Sequence, residues 1–253
     1  MREGLFDVTG KIILVTGGAK GLGAMITEAL VEAGARVYIS SRSMDTCTSF
    51  AAEMSKKGEC IALPANLLEM EQIHELADEL AKRESKINVL INNSGATWGA
   101  PLDKYPEKGW DKVMDLNVKS LFFLTQALMP LIKAAASPGN PARIINISSI
   151  AALYPNAMQA YAYGPSKAAV VQLTRNLANE LARDNILVNV VAPGFFPSNM
   201  TQHLEEEQMA KVIPLKRIGQ PRDIAGLIIY LCSEGSNFIT GAYIPIDGGT
   251  LIG

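Results

Sequence analysis

Tyr163 and Lys167 stand four residues apart in the run YGPSKAAVVQLTRNLANELA (163–182). On a helix that spacing puts both side chains on one face, one turn apart. A phenol ordinarily ionises near about pKa 10. An ammonium beside it favours the phenolate and poises the hydroxyl to exchange a proton near neutral pH. Pro165 fits only the first turn of such a helix, so Tyr163 belongs at its beginning. The pair alone is equally compatible with an amphipathic helix that packs a ring and solvates an amine. Ser148 and Ser149 add to it, because they end the β-rich run ARIINISS (142–149). A serine hydrolase is excluded by the lack of a G-x-S-x-G elbow and by the paucity of histidine. His74 lies in the polar helical run EQIHELADEL and reads as a surface residue, and His203 as a loop residue.

Short apolar runs that read as strands cover 11–16, 35–41, 60–65, 87–92, 142–148, 186–191 and 243–246. Helical patterns lie between them at 21–33, 46–57, 69–84, 107–136, 161–183 and 221–233. Strands that are apolar throughout and alternate with helices specify βαβ units and a parallel sheet covered on both faces. The fold expected is a single α/β domain over 1–253, a Rossmann-type doubly wound sheet of seven strands with helices on both faces. The rival, a closed (β/α)8 barrel, needs one strand more. The segment ASPGNPA (136–142) reads as a helix-to-strand loop, and 195–216, without clear periodicity, as a mobile lid.

The composition narrows the function classes. The chain has 253 residues, 48% of them hydrophobic, and a formal net charge of -2, so no basic footprint for nucleic acid is present. Mean hydropathy is +0.14 and no window holds the roughly 18 uninterrupted apolar residues of a membrane span. Cys47, Cys60 and Cys232 lack C-x-x-C spacing and read as packed, reduced thiols, which points to the cytoplasm. With two histidines and three cysteines, no metal site is expected.

The first strand runs into TGGAKGLG (16–23) and then a helical pattern. Gly17 permits the tight turn, Gly21 lets backbone approach a pyrophosphate, and Gly23 lets helix pack closely on strand, with Leu22 between them. The helix N-terminus attracts phosphate. Between a strand and a helix of the first βαβ unit, this is a dinucleotide signature. NAD sites place an acid about 20 residues beyond the glycines. Here the second strand ends Ile39-Ser40-Ser41-Arg42, and Lys20 sits in the turn itself. Ser41, Arg42 and Lys20 suit a 2′-phosphate, so the cofactor expected is NADP. Asp45 reads as the N-cap of the next helix.

Together these residues resemble the short-chain dehydrogenase/reductase family over essentially the whole chain. The resemblance rests on TGGAKGLG, on Asn92-Asn93-Ser94-Gly95, Asn117, Ser149, and Tyr163 with Lys167. It rests also on Pro193-Gly194 and on Asp247-Gly248-Gly249. The segments AYAYGPSKAA, APGFFPSNMT and SPGNPARIIN narrow it to β-ketoacyl reductases. It implies that Tyr163 protonates a carbonyl oxygen, with Lys167 lowering its pKa and holding the nicotinamide ribose. Ser149 would bond the substrate oxygen, and Asn117 would anchor a water relay to Lys167. Asn93 and Gly95 would lie at the adenosine ribose, Asn66 and Leu67 at the adenine, and Pro193, Gly194, Phe196 and Ser198 at the carboxamide. Four departures from the family pattern stand out. Ser149 precedes Tyr163 by 14 residues, one more than usual, which keeps Ser148 as a second candidate. Asn66 replaces Asp, Ser94 replaces Ala, and Ser198 stands where Thr is common.

The reading is an NADPH-dependent reduction of a small-molecule ketone to a secondary alcohol, with 3-oxoacyl thioesters as one substrate class. The alternatives are a polyol or sugar-acid dehydrogenase and a catalytically idle NADP-binding regulator. The expected substrate wall comprises Trp98, Leu153, Tyr154, Met158, Gln159, Phe195 and Met200. Lys133, Arg143 and Arg183 are a possible basic patch for an acidic carrier protein. The resemblance implies a homotetramer.

Overall fold

The computed structural model describes residues 4–155, 159–198 and 206–252. Met158, Met200 and His203 lie outside them. Seven strands form one all-parallel sheet: β1 Ile12–Thr16, β2 Arg36–Ser40, β3 Cys60–Ala62, β4 Val89–Asn92, β5 Ala142–Ile147, β6 Ile186–Pro193 and β7 Tyr243–Ile246. Their order is β3-β2-β1-β4-β5-β6-β7, the doubly wound arrangement expected. The chain reverses direction across the sheet between β1 and β4, where such folds open a crevice at the carboxyl ends of the strands.

Side chains alternate along each strand, and both faces are buried. Ile13, Val15, Val37 and Ile39 point to one side, into a core with Ile26 and Leu30 of α1 (Gly21–Glu32), Cys47 and Ala51 of α2 (Met44–Met54), and helix 221–232. Leu14, Tyr38 and Leu90 point to the other. They meet Ile73 and Leu80 of α3 (Met70–Arg83) and side chains from the later helices. Cys47, Cys60 and Cys232 are buried and free, and His74 is exposed on α3.

Three local expectations need correction. The single helix expected at 107–136 is α4 (Glu107–Met114), a π-helical turn over Asp115–Lys119, and α5 (Ser120–Ala135). An added residue per turn leaves the apolar period almost intact, so the pattern hid it. Taken together, Glu107–Ala135 is long and apolar enough to cross a bilayer by length and composition. Its inner residues Leu124, Leu128 and Ile132 are instead packed in the core beneath the sheet. The cap of α2 is Ser43, whose Oγ accepts from the Thr46 N–H at 3.4 Å; Asp45 lies in the first turn, where it meets the helix dipole. The segment 195–216, read as lacking clear periodicity, contains α7 (Glu206–Val212), anchored by Met209 against Ile213 and Ile218. The last two helices are α6 (Tyr163–Leu181) and α8 (Pro221–Cys232).

Candidate active site

The end of β5 delivers two serines with different tasks. Ser148 is 3% exposed, and its Oγ donates to the Lys167 carbonyl at 2.8 Å, so it ties strand to helix. Ser149 opens a 3-10 turn, Ile150–Ala152, accepting from the Ala151 N–H at 3.1 Å, and its hydroxyl favours ionisation of the Tyr163 phenol. Ser149 is therefore the hydroxyl beside the phenol.

Tyr163 is the first residue of α6, as Pro165 required. Burial pushes its phenol up, and the Ser149 hydroxyl partly opposes that. One turn on, Lys167 holds its Nζ 5.7 Å from the centre of the Tyr163 ring and donates to the Ile147 carbonyl at 3.0 Å. Lys167 is 4% exposed, and burial pushes its ammonium down to about 8. The spacing had suggested an ammonium that draws the phenol toward ionisation. Desolvation is the larger effect, and it disfavours both charges. The result is a neutral phenol beside an amine that titrates near neutrality.

Asn117 sits in the π-helical turn and is 1% exposed. Its Oδ1 accepts from the Ala96 N–H at 2.8 Å, and its Nδ2 donates to the Ala96 carbonyl at 3.0 Å and to Ser166 Oγ at 2.8 Å. Both amide hydrogens of Asn117 are thus committed to protein, and a water relay from it would have to donate to its Oδ1 or its backbone carbonyl. Gly95 lies against this group: a Cβ there would meet Asn117 Oδ1 at 3.3 Å and Lys167 Nζ at 3.4 Å.

The Gly-rich turn fits a dinucleotide. Gly17 has φ +64, a left-handed conformation that glycine adopts without strain. A Cβ on Gly23 would lie 2.1 Å from the Gly17 carbonyl oxygen, so only glycine brings α1 this close to the turn. Lys20 is the N-cap of α1 but supplies no side-chain cap, which leaves the first-turn N–H groups open to phosphate oxygens. Lys20 and Arg42 are exposed, and among the described residues neither is held in an ion pair. Ser41 lies between β2 and Arg42, with its hydroxyl on the Ser43 carbonyl at 3.2 Å.

A family model described as Enoyl-(Acyl carrier protein) reductase matches residues 17–250. The rhamnolipids biosynthesis 3-oxoacyl-[acyl-carrier-protein] reductase of Pseudomonas aeruginosa is 47% identical, covering 96% of this chain and 97% of that protein. The chain belongs to the short-chain dehydrogenase/reductase family. The 3-oxoacyl-[acyl-carrier-protein] reductase FabG of Thermotoga maritima is 36% identical, over 96% of this chain and 98% of its own. Among solved structures, the Pseudomonas aeruginosa RhlG/NADP active-site complex superposes with a TM-score of 0.96 at 46% identity, over 99% of this chain and 100% of that one.

In this short-chain dehydrogenase/reductase, other expected residues lie at the carboxyl ends of β3, β4 and β6. Asn93 donates through Nδ2 to the Thr16 and Gly17 carbonyls at 2.9 and 3.2 Å, pinning the Gly-rich turn to the end of β4. Asn66 follows β3, its N–H on Gln72 Oε1 at 2.8 Å, with Leu67 buried beside it. Pro193 ends β6. The Gly194 N–H donates to the Ile246 carbonyl at 3.0 Å, and Phe196 is buried against Gly219. A Cβ on Gly21 would meet Ser198 Cβ at 3.4 Å, so the two turns approach each other. Of the expected wall, Leu153 and Tyr154 are exposed just after the 3-10 turn. Trp98 lies against Gly109 with Lys112 Nζ 5.5 Å from the centre of its ring.

The basic patch does not exist as expected. Arg143 is 2% exposed, donating to the Pro141 and Ser233 carbonyls at 2.6 and 2.8 Å. Lys133 is paired with Asp184 at 2.8 Å and Arg183 with Glu180 at 2.6 Å. Sequence reasoning also passed over two supporting hydroxyls. Thr16 Oγ1 accepts from the Asn93 and Ser94 N–H groups at 3.0 Å each, and Ser166 bonds Asn117. Thr16 opens the Gly-rich motif and could have been found there; Ser166 has no local signal.

Proposed function

We propose that this enzyme is an NADPH-dependent ketoreductase that reduces the ketone of 3-oxoacyl thioesters to a secondary alcohol. The observation that carries the reading is the arrangement of Ser149 at the end of β5 with Tyr163 at the start of α6 and Lys167 one turn on, its Nζ 5.7 Å from the Tyr163 ring. Two adjacent hydroxyl donors suit one developing alkoxide oxygen. Its relatives named as 3-oxoacyl-carrier-protein reductases support the substrate class.

The dinucleotide supplies the hydride when bound. The Gly17–Gly23 turn and the start of α1 would hold its pyrophosphate, and Lys20, Ser41 and Arg42 its 2′-phosphate. Asn66, Leu67, Asn93 and Gly95 would face the adenosine half. Pro193, Gly194, Phe196 and Ser198 would face the carboxamide. Tyr163 gives its proton to the carbonyl oxygen while Ser149 donates a hydrogen bond to the same atom. Burial keeps the phenol protonated until that oxygen gains charge, and Lys167 then stabilises the phenolate left behind. Asn117 holds the backbone of Ala96 beside Lys167.

We further infer a homotetramer in the cytoplasm. Trp110 and Phe122 are exposed on α4 and α5, and Phe238 is exposed just before the edge strand β7, apolar surface of the kind that another subunit covers. Three buried free thiols suit a reducing compartment.

The test is steady-state turnover with NADPH or NADH across 3-oxoacyl thioesters, simple ketones and keto-sugar acids. NADPH with the thioesters should give the highest kcat/KM. Preference for a keto-sugar acid, or for NADH, would overturn the assignment. Tyr163→Phe should bind NADPH and lose at least about 100-fold in turnover.

A further inference from the structure

Helix α6 carries both Tyr163 and Lys167, and its N-cap, Ala162, supplies no side-chain cap. The Tyr163 N–H donates to the Ala160 carbonyl at 3.0 Å and the Ser166 N–H to the Ala162 carbonyl at 3.0 Å, and Pro165 has no N–H to satisfy. These bonds all run along the local chain, and a phenol displaced by about 1 Å loses much of its catalytic effect.

Ser166 lies at the centre of that turn and is 0% exposed. Its Oγ donates to the Tyr163 carbonyl at 2.7 Å and accepts from Asn117 Nδ2 at 2.8 Å. A serine that only back-bonds to its own helix is common and of small effect. Here the same oxygen joins a residue 49 positions away, in the π-helical turn between α4 and α5. Such turns, inserted in a helix, frequently mark functional sites. Asn117 in turn grips both backbone groups of Ala96, next to Gly95 and Lys167 Nζ. The chain Ala96–Asn117–Ser166–Tyr163 is therefore continuous, and its two side chains are buried.

We propose that Ser166 is a positioning residue: it ties the first turn of α6 to the π-helical turn at Asn117 and so holds the backbone of Tyr163 at the distance from Ser149 that proton transfer needs. It touches neither substrate nor cofactor, and it rests on the reading of Tyr163 as proton donor. Without its hydroxyl, the Tyr163 carbonyl loses its lateral tether and Asn117 keeps only Ala96. Burial separates the site from bulk water.

The experiment compares Ser166→Ala, Ser166→Cys and Tyr163→Phe with the wild type. It measures kcat with a ketone substrate, the NADPH Kd by fluorescence titration, and Tm. Ser166→Ala should lower kcat by about 10- to 100-fold, with the NADPH Kd within about threefold of wild type. Ser166→Cys, which fills the site and bonds more weakly, should fall between. A drop in kcat smaller than about fivefold overturns the proposal. So does a larger drop matched by an equal rise in Kd, because that is general loosening rather than misplacement of the phenol. If Ser166→Ala does not fold, the same split is read on Ser166→Cys. Retained turnover in Tyr163→Phe would defeat the proton-donor reading itself. Loss there with normal turnover in Ser166→Ala would defeat only the tether.

Discussion

Lys167→Met should stabilise the cofactor-free protein at neutral pH, and the gain should vanish as the pH rises. Burial depresses the Lys167 ammonium from 10.5 to about 8. The folded state therefore holds this proton less tightly than the unfolded chain. The penalty is fully present below about pH 8, where both states are charged, and is relieved as the pH climbs toward the unfolded value. A shift of that size corresponds to about 3 kcal/mol at pH 7 and about 1 kcal/mol at pH 9.5. Methionine has similar length and no charge, but it forfeits the bond to the Ile147 carbonyl, worth about 1 kcal/mol. The variant should be more stable by about 2 kcal/mol at pH 7 and equal to wild type near pH 9.5. Urea unfolding at fixed protein concentration, at both pH values, measures the difference between the two proteins and removes titrations they share. A difference that stays flat across that range would refute a buried, destabilising ammonium. The variant should also be catalytically poor, so stability and activity are exchanged at this position.

Other changes separate the parts of the site. Ser149→Ala should lower kcat by about 100-fold, whereas Ser148→Ala should keep turnover within about threefold and cost about 1 kcal/mol of stability; the reverse ranking in a side-by-side assay would exchange their roles. Lys20→Ala and Arg42→Ala should each raise the KM for NADPH by about tenfold and leave that for NADH unchanged. An equal rise for both cofactors would remove the 2′-phosphate assignment. Gly23→Ala puts a Cβ 2.1 Å from the Gly17 carbonyl oxygen. It should weaken NADPH binding at least about tenfold and destabilise by about 1–3 kcal/mol; normal binding by titration would contradict the close packing of α1 on the turn.

The seven strands were legible because a parallel sheet buried on both faces demands continuous apolar runs, and all seven runs are strands here. The Gly-rich turn and the Tyr163–Lys167 spacing were legible for a similar reason: their geometry is local, set by φ angles and by one helical turn. The π-helical turn at Asp115–Lys119 was not, because one extra residue scarcely disturbs an apolar period. Helix α7 was hidden by its short length and by acids at its start that mask the buried Met209.

The sequence by itself determined the fold, the dinucleotide turn and the pair of residues proposed to handle the proton. All of these follow from patterns within a few residues of one another. Only the tertiary structure decided which serine faces the phenol, since Ser148 and Ser149 differ by the direction in which a strand end points. It also turned Arg143 from a surface cation into a buried one. And it reversed the expected electrostatics of Tyr163 and Lys167, because desolvation depends on what the rest of the chain packs around a group.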